Sequence, residues 1–500
     1  MRVLFIYPNI YEPTGYLHTG IGVLSACLKE AGHTTALFDT TFYDLEKDAN
    51  FNHLDWRSSI NMIQYKDTKL EEKIGPLKTN VIGDFIKKIE SFKPDLIAAT
   101  CVSQSYPVLL KLLETVKNYN IPVIVGGPKA SISPRELLEN TAIDYVGIGE
   151  CEEALLELVS AMDNEQLTTH IPNIWAKDGR NIIENPVRPL KGLNDLPFPD
   201  WEIFGEIHQF RPFKGEVVRM GCFEFSRGCP FECSFCITSF YHKLYNTRGG
   251  YRRVKDVDRM IAEIKYFKDR YNITLVRFVD ETLFTMSYKK VKDFADKYKK
   301  EIDLPFVCLT RVESLTEEKL EVLGATNCCM HITIGVENGS EYIRQVICNK
   351  KNTNEQILNA ARLIHKYGMG INTLNMIGLP EETREDIFKT IKINREIDPI
   401  VIQVTYFYPF EGTPLRDYCI EHTILDEEKD KFGINYFVDS VLKMPQISQK
   451  ELQGLKKTFQ LYCKFPRYMF PIIRISEHDN LISNIIFKLL VKIFRIKWAS

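Results

Sequence analysis

Short runs of Val, Ile, Leu and Phe alternate with helical stretches along most of this 500-residue chain, in two separate series. In the first, Arg2–Tyr7, Thr34–Phe38, Asp95–Thr100, Pro122–Val125 and Tyr145–Ile148 read as strands. Helices are expected between them at Gly20–Ala31, Val81–Phe92 and Val108–Tyr119, with an irregular insertion over residues 44–80. Strand, helix, strand at this spacing predicts a parallel sheet with helices on both faces. The rhythm returns at Glu216. Val217–Phe225, Leu275–Val279, Phe306–Leu309, His331–Val336, Ile371–Ile377 and Ile402–Tyr406 read as six strands. Helical stretches at Val254–Lys268, Tyr288–Ile302, Glu317–Leu323, Asn354–Tyr367 and Arg384–Glu396 separate them, which predicts a partial barrel. The expected fold class is α/β. A doubly wound parallel sheet over residues 1–165 is followed by a linker over 166–215, a partial (β/α)6 barrel over 216–416 and a mainly helical region over 417–500.

Ligands of such sheets sit outside the carboxyl ends of the strands. In the first series those ends carry Tyr7-Pro8-Asn9, Ser103-Gln104-Ser105, Gly126-Gly127-Pro128 and Gly147-Ile-Gly149-Glu150. Glycines there let a bulky planar ligand lie against backbone. Ordinary turn chemistry accounts for any one of these loops; four on one edge carry more weight. In the second series the first strand leads straight into Ser226-Arg-Gly-Cys229-Pro-Phe-Glu-Cys233-Ser-Phe-Cys236. No neighbouring repeat supplies a fourth cysteine, whereas a structural zinc site closes with four ligands. Three thiolates on one loop suit a 4Fe-4S cluster with one iron left open. On spacing alone, an incomplete zinc knuckle or buried free cysteines remain alternatives. Later strand ends carry Asp280-Glu281-Thr282, Thr310-Arg311, Gly335-Val-Glu337 and Ile377-Gly378-Leu-Pro-Glu-Glu382. A salt bridge at the barrel rim is the competing reading of each acid or arginine.

Composition removes several classes. Lys and Arg number 64 against 66 Asp and Glu, so no global field favours nucleic acid. Thirteen cysteines without regular pairing fit a reducing cytoplasm better than a disulfide framework. The N-terminal apolar run is too short for a signal peptide and reads as a buried strand. Near the far end, Lys488, Lys492, Arg495 and Lys497 interrupt an apolar stretch, against the roughly 20 apolar residues a spanning helix needs. The spacing of Lys488, Lys492 and Arg495 predicts a basic amphipathic helix whose apolar stripe docks on the body of the protein, peripheral membrane contact being the alternative.

Cys-x3-Cys-x2-Cys with an aromatic, Phe235, before its last cysteine resembles the signature of the radical S-adenosylmethionine (radical SAM) enzymes. The first half is similar to the cobalamin-binding domain that precedes the barrel in one large subfamily. The matching features are Ala31-Gly32-His33, Lys93-Pro-Asp-Leu-Ile97, Val125-Gly-Gly-Pro128, Gly147-Ile-Gly-Glu-Cys-Glu-Glu153 and Leu193-Asn-Asp-Leu-Pro-Phe-Pro-Asp-Trp201. One departure stands out. The Asp-x-His-x-x-Gly run that ligates cobalt from below is missing, and His18 and His33 read as structural. The resemblance implies a 4Fe-4S cluster on Cys229, Cys233 and Cys236, S-adenosylmethionine on its open iron, and cobalamin bound without a lower histidine. It places Asp280 or Glu281 near the methionine amino group, and Arg311 and Glu337 near ribose or carboxylate. Phe235 and Ile377-Gly378-Leu379 would flank the adenine, while Ser103, Gly126, Gly127, Gly149 and Glu150 face the corrinoid. The implied activity is C-methylation of an unactivated carbon in a small molecule, with an electron donor such as flavodoxin or ferredoxin. Radical oxidative cyclisation on the same architecture, methylthiolation of tRNA and a non-enzymatic corrinoid or redox sensor are the rivals. Residues 417–500 resemble nothing that names a substrate.

Overall fold

The computed structural model describes residues 1–10, 17–51, 69–246, 251–431 and 436–498; residues 52–68 of the insertion expected over 44–80 lie outside them. β1 (Arg2–Tyr7), β2 (Thr34–Asp39), β3 (Leu96–Thr100), β4 (Val123–Gly126) and β5 (Tyr145–Gly147) pair in parallel, in the order β2-β1-β3-β4-β5. Val3, Leu4, Phe5 and Ile6 are all buried, as a strand covered on both faces requires. The helices Thr19–Glu30, Val81–Phe92, Tyr106–Val116 and Glu152–Asp163 belong to the same unit. His18 caps the first of them, its Nδ1 accepting from the Ile21 N–H at 3.1 Å. Burial pushes its pKa down to about 4, so the ring is neutral at pH 7. His33 Nδ1 meets the N-terminal amine at 3.2 Å. Both histidines are structural.

The expected linker over 166–215 needs correction. It contains β6 (Ile174–Asp178) and β7 (Asn181–Ile183), which extend the first sheet antiparallel from β5. Ile174 and Ala176 face inward, and Gly179 at φ +58° turns the chain between the two strands. A second correction concerns the barrel boundaries. The chain divides into two units, one holding most of the chain up to Phe210 together with Phe240–Tyr251, the other Arg211–Ser239 and the chain from Arg252. Residues 240–251 join the first unit because Leu244 packs on its core and the Tyr245 hydroxyl accepts the Glu150 N–H at 2.7 Å.

In the second sheet, β8 (Phe210–Phe213) and β9 (Glu216–Phe223) are joined by Lys214 and Gly215, both at positive φ as a tight hairpin demands. A short ribbon, β10 (Ser226–Arg227) with β11 (Arg253–Val254), follows. β12 (Leu275–Phe278), β13 (Phe306–Thr310), β14 (Cys329–Glu337), β15 (Gly370–Ile377) and β16 (Val401–Tyr406) then add one after another in parallel beyond β9. This is the expected half-barrel, with β8 as an unforeseen edge strand. Helices Val257–Tyr271, Tyr288–Glu301, Glu317–Ala325, Asn354–Lys366 and Arg384–Ile397 cross between the strands. Phe225, Phe278, Phe294, Tyr298 and Phe306 form an aromatic core with centroids 5.0–6.5 Å apart.

The C-terminal helices Gln449–Lys464, Phe470–Ile475 and Leu481–Trp498 share a core with β16 and Arg384–Ile397. The Arg384 guanidinium pairs with Glu477 at 2.7 and 2.9 Å, and Arg395 donates to the carbonyls of Tyr462, Cys463 and Phe465 that end a helix. A short helix over Glu427–Lys431 is begun by Asp426, whose carbonyl accepts from the Asp430 N–H. Among the described residues no helix is long and apolar enough to cross a membrane.

Candidate functional site

The cysteine loop leaves β10 through Gly228, held at φ +81°. Ser234 pins its middle. Its N–H donates to the Cys348 carbonyl at 3.0 Å and its hydroxyl to the Ile347 carbonyl at 2.5 Å, while its own carbonyl accepts from Leu415. Cys236 N–H turns back to the Cys233 carbonyl. Cys229 and Cys233 are buried and Cys236 half-buried. Burial pushes the Cys229 thiol up to about 12 and raises Cys233; the neighbouring thiols add to both shifts, so the three sulfurs lie within electrostatic reach of one another. Among the described residues, however, no three Cys, His, Asp or Glu side chains stand in the tight grouping a single ion needs. Thiolates of a cluster each bind a different iron and stand further apart than the ligands of one zinc. By its chemistry the donor set suits an iron–sulfur cluster: three soft sulfurs, two of them buried, on one anchored loop. Metal must displace the protons that burial retains.

Arg311 completes this surround. Its Nη1 donates to Cys233 Sγ at 2.8 Å, its Nε reaches Glu313 at 3.3 Å, and its guanidinium lies 3.9 Å from the centre of the Phe231 ring. The cation also lowers the Cys233 pKa against the effect of burial. Arg311, expected near ribose or carboxylate, lies against the cysteine loop.

The other expected residues divide. Asp280 is buried, and its carboxylate accepts from the N–H of Phe225 at 3.2 Å and of Ser226 at 2.5 Å, and from the Ser226 hydroxyl. It holds the start of the cysteine loop, and burial raises its pKa to about 7. Glu281 is exposed beside it. Glu337, at φ +60°, pairs with the buried Lys350 at 3.0 Å, the rim salt bridge weighed for it. Phe235 packs on the cluster that contains Leu379, Phe407 and Tyr408. Gly378, at φ +78°, donates its N–H to Glu382 at 2.5 Å.

Glu382 is a residue the sequence left without a role. Fully buried, it also accepts from Leu379 N–H at 3.1 Å and from Asn338, tying the end of β15 to that of β14. Burial pushes its pKa up to about 8. Its position in Gly-Leu-Pro-Glu-Glu was the only available signal.

In the first unit, Ser103 opens a turn after β3, Gly126 and Gly127 follow from β4, and Gly149 and Glu150 come just after β5. One sheet edge gathers them. A side chain at Gly126 would project into open space, its nearest neighbour 4.0 Å away, which is the room a planar ligand needs. Gly127 is at φ +95° against the Cys101 backbone. Ser131, not anticipated, accepts from the Gly149 N–H at 2.9 Å and donates to the Gly127 carbonyl at 3.3 Å, joining two of the loops. This edge presents backbone, hydroxyls and space, which fits a corrinoid held by shape.

Comparison with known proteins agrees with both halves. Residues 223–393 match the Radical SAM superfamily and residues 65–159 the B12 binding domain. The chain is 27% identical over 404 residues to an uncharacterized methyltransferase of Pyrococcus horikoshii, covering 79% of this chain and 83% of that one. It is 25% identical over 484 residues to the anaerobic magnesium-protoporphyrin IX monomethyl ester cyclase of Rubrivivax gelatinosus, covering 93% and 77%. The fold is shared with the cobalamin-dependent S-adenosylmethionine radical enzyme OxsB, solved with aqua-cobalamin and S-adenosylmethionine bound. There the TM-score is 0.66 at 16% identity, with 100% of this chain and 71% of that one covered. The cofactor classes follow from the two domains: a 4Fe-4S cluster and S-adenosylmethionine for one, cobalamin for the other. The chain is a radical SAM enzyme with a B12-binding domain ahead of its radical SAM domain, related to the cobalamin-dependent methyltransferases and cyclases of that class.

Proposed function

We propose that this enzyme methylates an unactivated carbon of a small molecule in the cytoplasm. The observation that carries the reading is the anchored loop of three sulfur donors, two of them buried and one touched by Arg311, in a chain whose other sheet offers a glycine-lined edge. Cys229, Cys233 and Cys236 would hold the cluster. Phe235 with Gly378 and Leu379 would flank the adenine, and Glu281 and Glu337 would meet polar groups of S-adenosylmethionine. Ser103, Gly126, Gly127, Gly149 and Glu150 would line the corrinoid. When bound, these cofactors supply a radical able to take hydrogen from an unreactive carbon, and a methyl group to replace it.

The chain's own residues do the rest. Ser234 fixes the loop, Arg311 keeps positive charge beside a sulfur, and Glu382 holds the Gly378 turn in place. A one-electron donor such as flavodoxin or ferredoxin is required, and the near-zero net charge calls for no nucleic acid partner. The methyltransferase relative supports methylation. One finding favours a second reading, oxidative ring closure: the cyclase match covers 93% of the chain.

The test is anaerobic reconstitution with iron, sulfide, cobalamin and S-adenosylmethionine labelled in its methyl group, followed by incubation with candidate small molecules. Methylation gives 5'-deoxyadenosine and product carrying the label. Deoxyadenosine with unlabelled product that has lost hydrogen would establish cyclisation instead. Protein that binds cobalamin yet forms no nucleoside contradicts both.

A further inference from the structure

The helix Leu481–Trp498 has two apolar faces, and the body of the protein covers one. Ser483, Leu490 and Phe494 are buried, with Leu490 and Phe494 only 3% and 1% exposed, and Ile486, Phe487, Val491 and Trp498 pack around them. On the outer side Ile482, Ile485, Leu489, Ile493 and Ile496 recur at steps of three and four residues, a continuous helical stripe. Leu481 and Ile496 are 78% and 80% exposed, Ile482 67% and Leu489 58%. Single exposed apolar residues are unremarkable on a protein surface; an ordered row of them is not.

Charge selects the occupant. Lys488, Lys492 and Arg495, all exposed, run along one border of the stripe at steps of four and three, and Lys497 lies near its other border. The helix contains no Asp or Glu. The preceding segment adds exposed Tyr468, Ile472 and Ile475 together with exposed Arg467 and Arg474. A second copy of the chain is the poorer occupant. A two-fold interface would set the same cation rows against each other with no carboxylate on either helix to pair them. An anionic bilayer surface takes both features at once: apolar side chains enter the acyl boundary while the lysines and arginine meet headgroup phosphates.

We propose that the outer face of Leu481–Trp498 is a docking surface for an anionic lipid bilayer, along which the enzyme lies without spanning it. The test uses the full chain, purified anaerobically with its cluster, in co-sedimentation with vesicles of phosphatidylcholine alone or mixed with phosphatidylglycerol. Ile485→Asp/Leu489→Asp removes the stripe, and Lys488→Glu/Lys492→Glu/Arg495→Glu reverses the border; neither touches the buried face, and iron content with circular dichroism checks that each folds. The wild type should sediment with anionic vesicles about tenfold more than with neutral ones, each variant should lose about tenfold or more, and added salt should weaken binding. No sedimentation, or equal sedimentation with both vesicles, overturns the proposal. So does a concentration-dependent dimer, seen by light scattering, that Ile485→Asp/Leu489→Asp dissolves.

Discussion

The two sheets present their carboxyl edges to ligands with opposite chemistry. On the first, Ser103 and Ser131 bring hydroxyls, Gly127 and Gly149 backbone, and Gly126 room. On the second, Asp280, Arg311, Glu313, Glu337, Lys350 and Glu382 crowd the strand ends, each held by backbone, thiol, opposite charge or a neutral polar side chain. Buried charge persists only when compensated, so the second edge is a network in which removing one member strands another. The first edge is tied mainly by neutral hydrogen bonds, Ser131 joining Gly127 to Gly149, with one ion pair from the buried Lys129, in the helix after Gly127, to Glu136. Damage should therefore differ in kind: electronic at the barrel, steric at the B12-binding domain.

The strongest way to break that contrast is to take one sulfur from the second edge. Cys233→Ala should abolish iron–sulfur absorbance and 5'-deoxyadenosine formation altogether, while cobalamin titrates onto the protein as before. Visible spectra of reconstituted protein read both cofactors. Retained iron and turnover would mean that the loop is not the cluster site. Gly127→Ala is the converse. Its φ of +95° favours glycine, and a Cβ there would come within 2.8–2.9 Å of the Cys101 backbone and the Thr100 hydroxyl. The cost is about 3 kcal/mol or more. Urea unfolding should show an earlier first transition with weakened cobalamin retention and unchanged iron content. Simultaneous loss of both cofactors would show that the edges are not independent.

Acid sharpens the contrast further. His18, in the first unit, has a folded pKa of about 4 because burial disfavours its charged form. The unfolded histidine, near 6.5, binds its proton first as pH falls, so this stabilisation is complete above about 6.5 and lost down to about 4. The loss is at most about 3 kcal/mol. His18→Asn keeps an acceptor for the Ile21 N–H and should flatten the first unit's pH dependence in that window. In the second unit the sign reverses at Asp280 and Glu382, whose raised pKa values make ionisation unfavourable as pH climbs towards 7 and 8. Melting curves at several pH values, for wild type and His18→Asn, separate the two contributions. An unchanged slope in His18→Asn removes His18 as the cause.

What could be read from the sequence was local. Parallel strands buried on both faces are continuous apolar runs, so all five parallel strands of the first sheet and all six of the half-barrel stood out within a few residues. β6 and β7 did not, because Ile174–Asp178 alternates weakly and sits in a stretch that reads as connector. The cysteine loop was legible since its three ligands lie within eight residues. Side-chain partners at long range were not: 95 residues separate Glu150 from Tyr245, and 44 separate Asn338 from Glu382. An acid at a strand end looks the same in sequence whether it meets a ligand or, like Asp280, also ties down the next loop. The last helix shows the same limit. Its periodicity was clear, but which apolar stripe the body would cover was settled only by packing.

The smallest predicted effect probes the coupling at the charged edge. Arg311 donates to Cys233 Sγ at 2.8 Å from a buried position. A cation at a cluster sulfur favours the reduced, more negative state, so Arg311→Ala should make the cluster harder to reduce. A hydrogen bond to a charged group is worth about 1.5–3 kcal/mol, and 59 mV corresponds to about 1.4 kcal/mol for one electron. Glu313, left behind by the substitution, adds to the shift, while water entering the space opposes it. The midpoint potential, followed by spectroelectrochemistry in the absence of substrate, should fall by about 50–100 mV. Arg311→Lys should recover part of the fall, because it restores the charge without the fork that holds Glu313. A potential unmoved in both variants would reduce Arg311 to a structural partner of Glu313 and Phe231, and the two edges would then differ in composition but not in function.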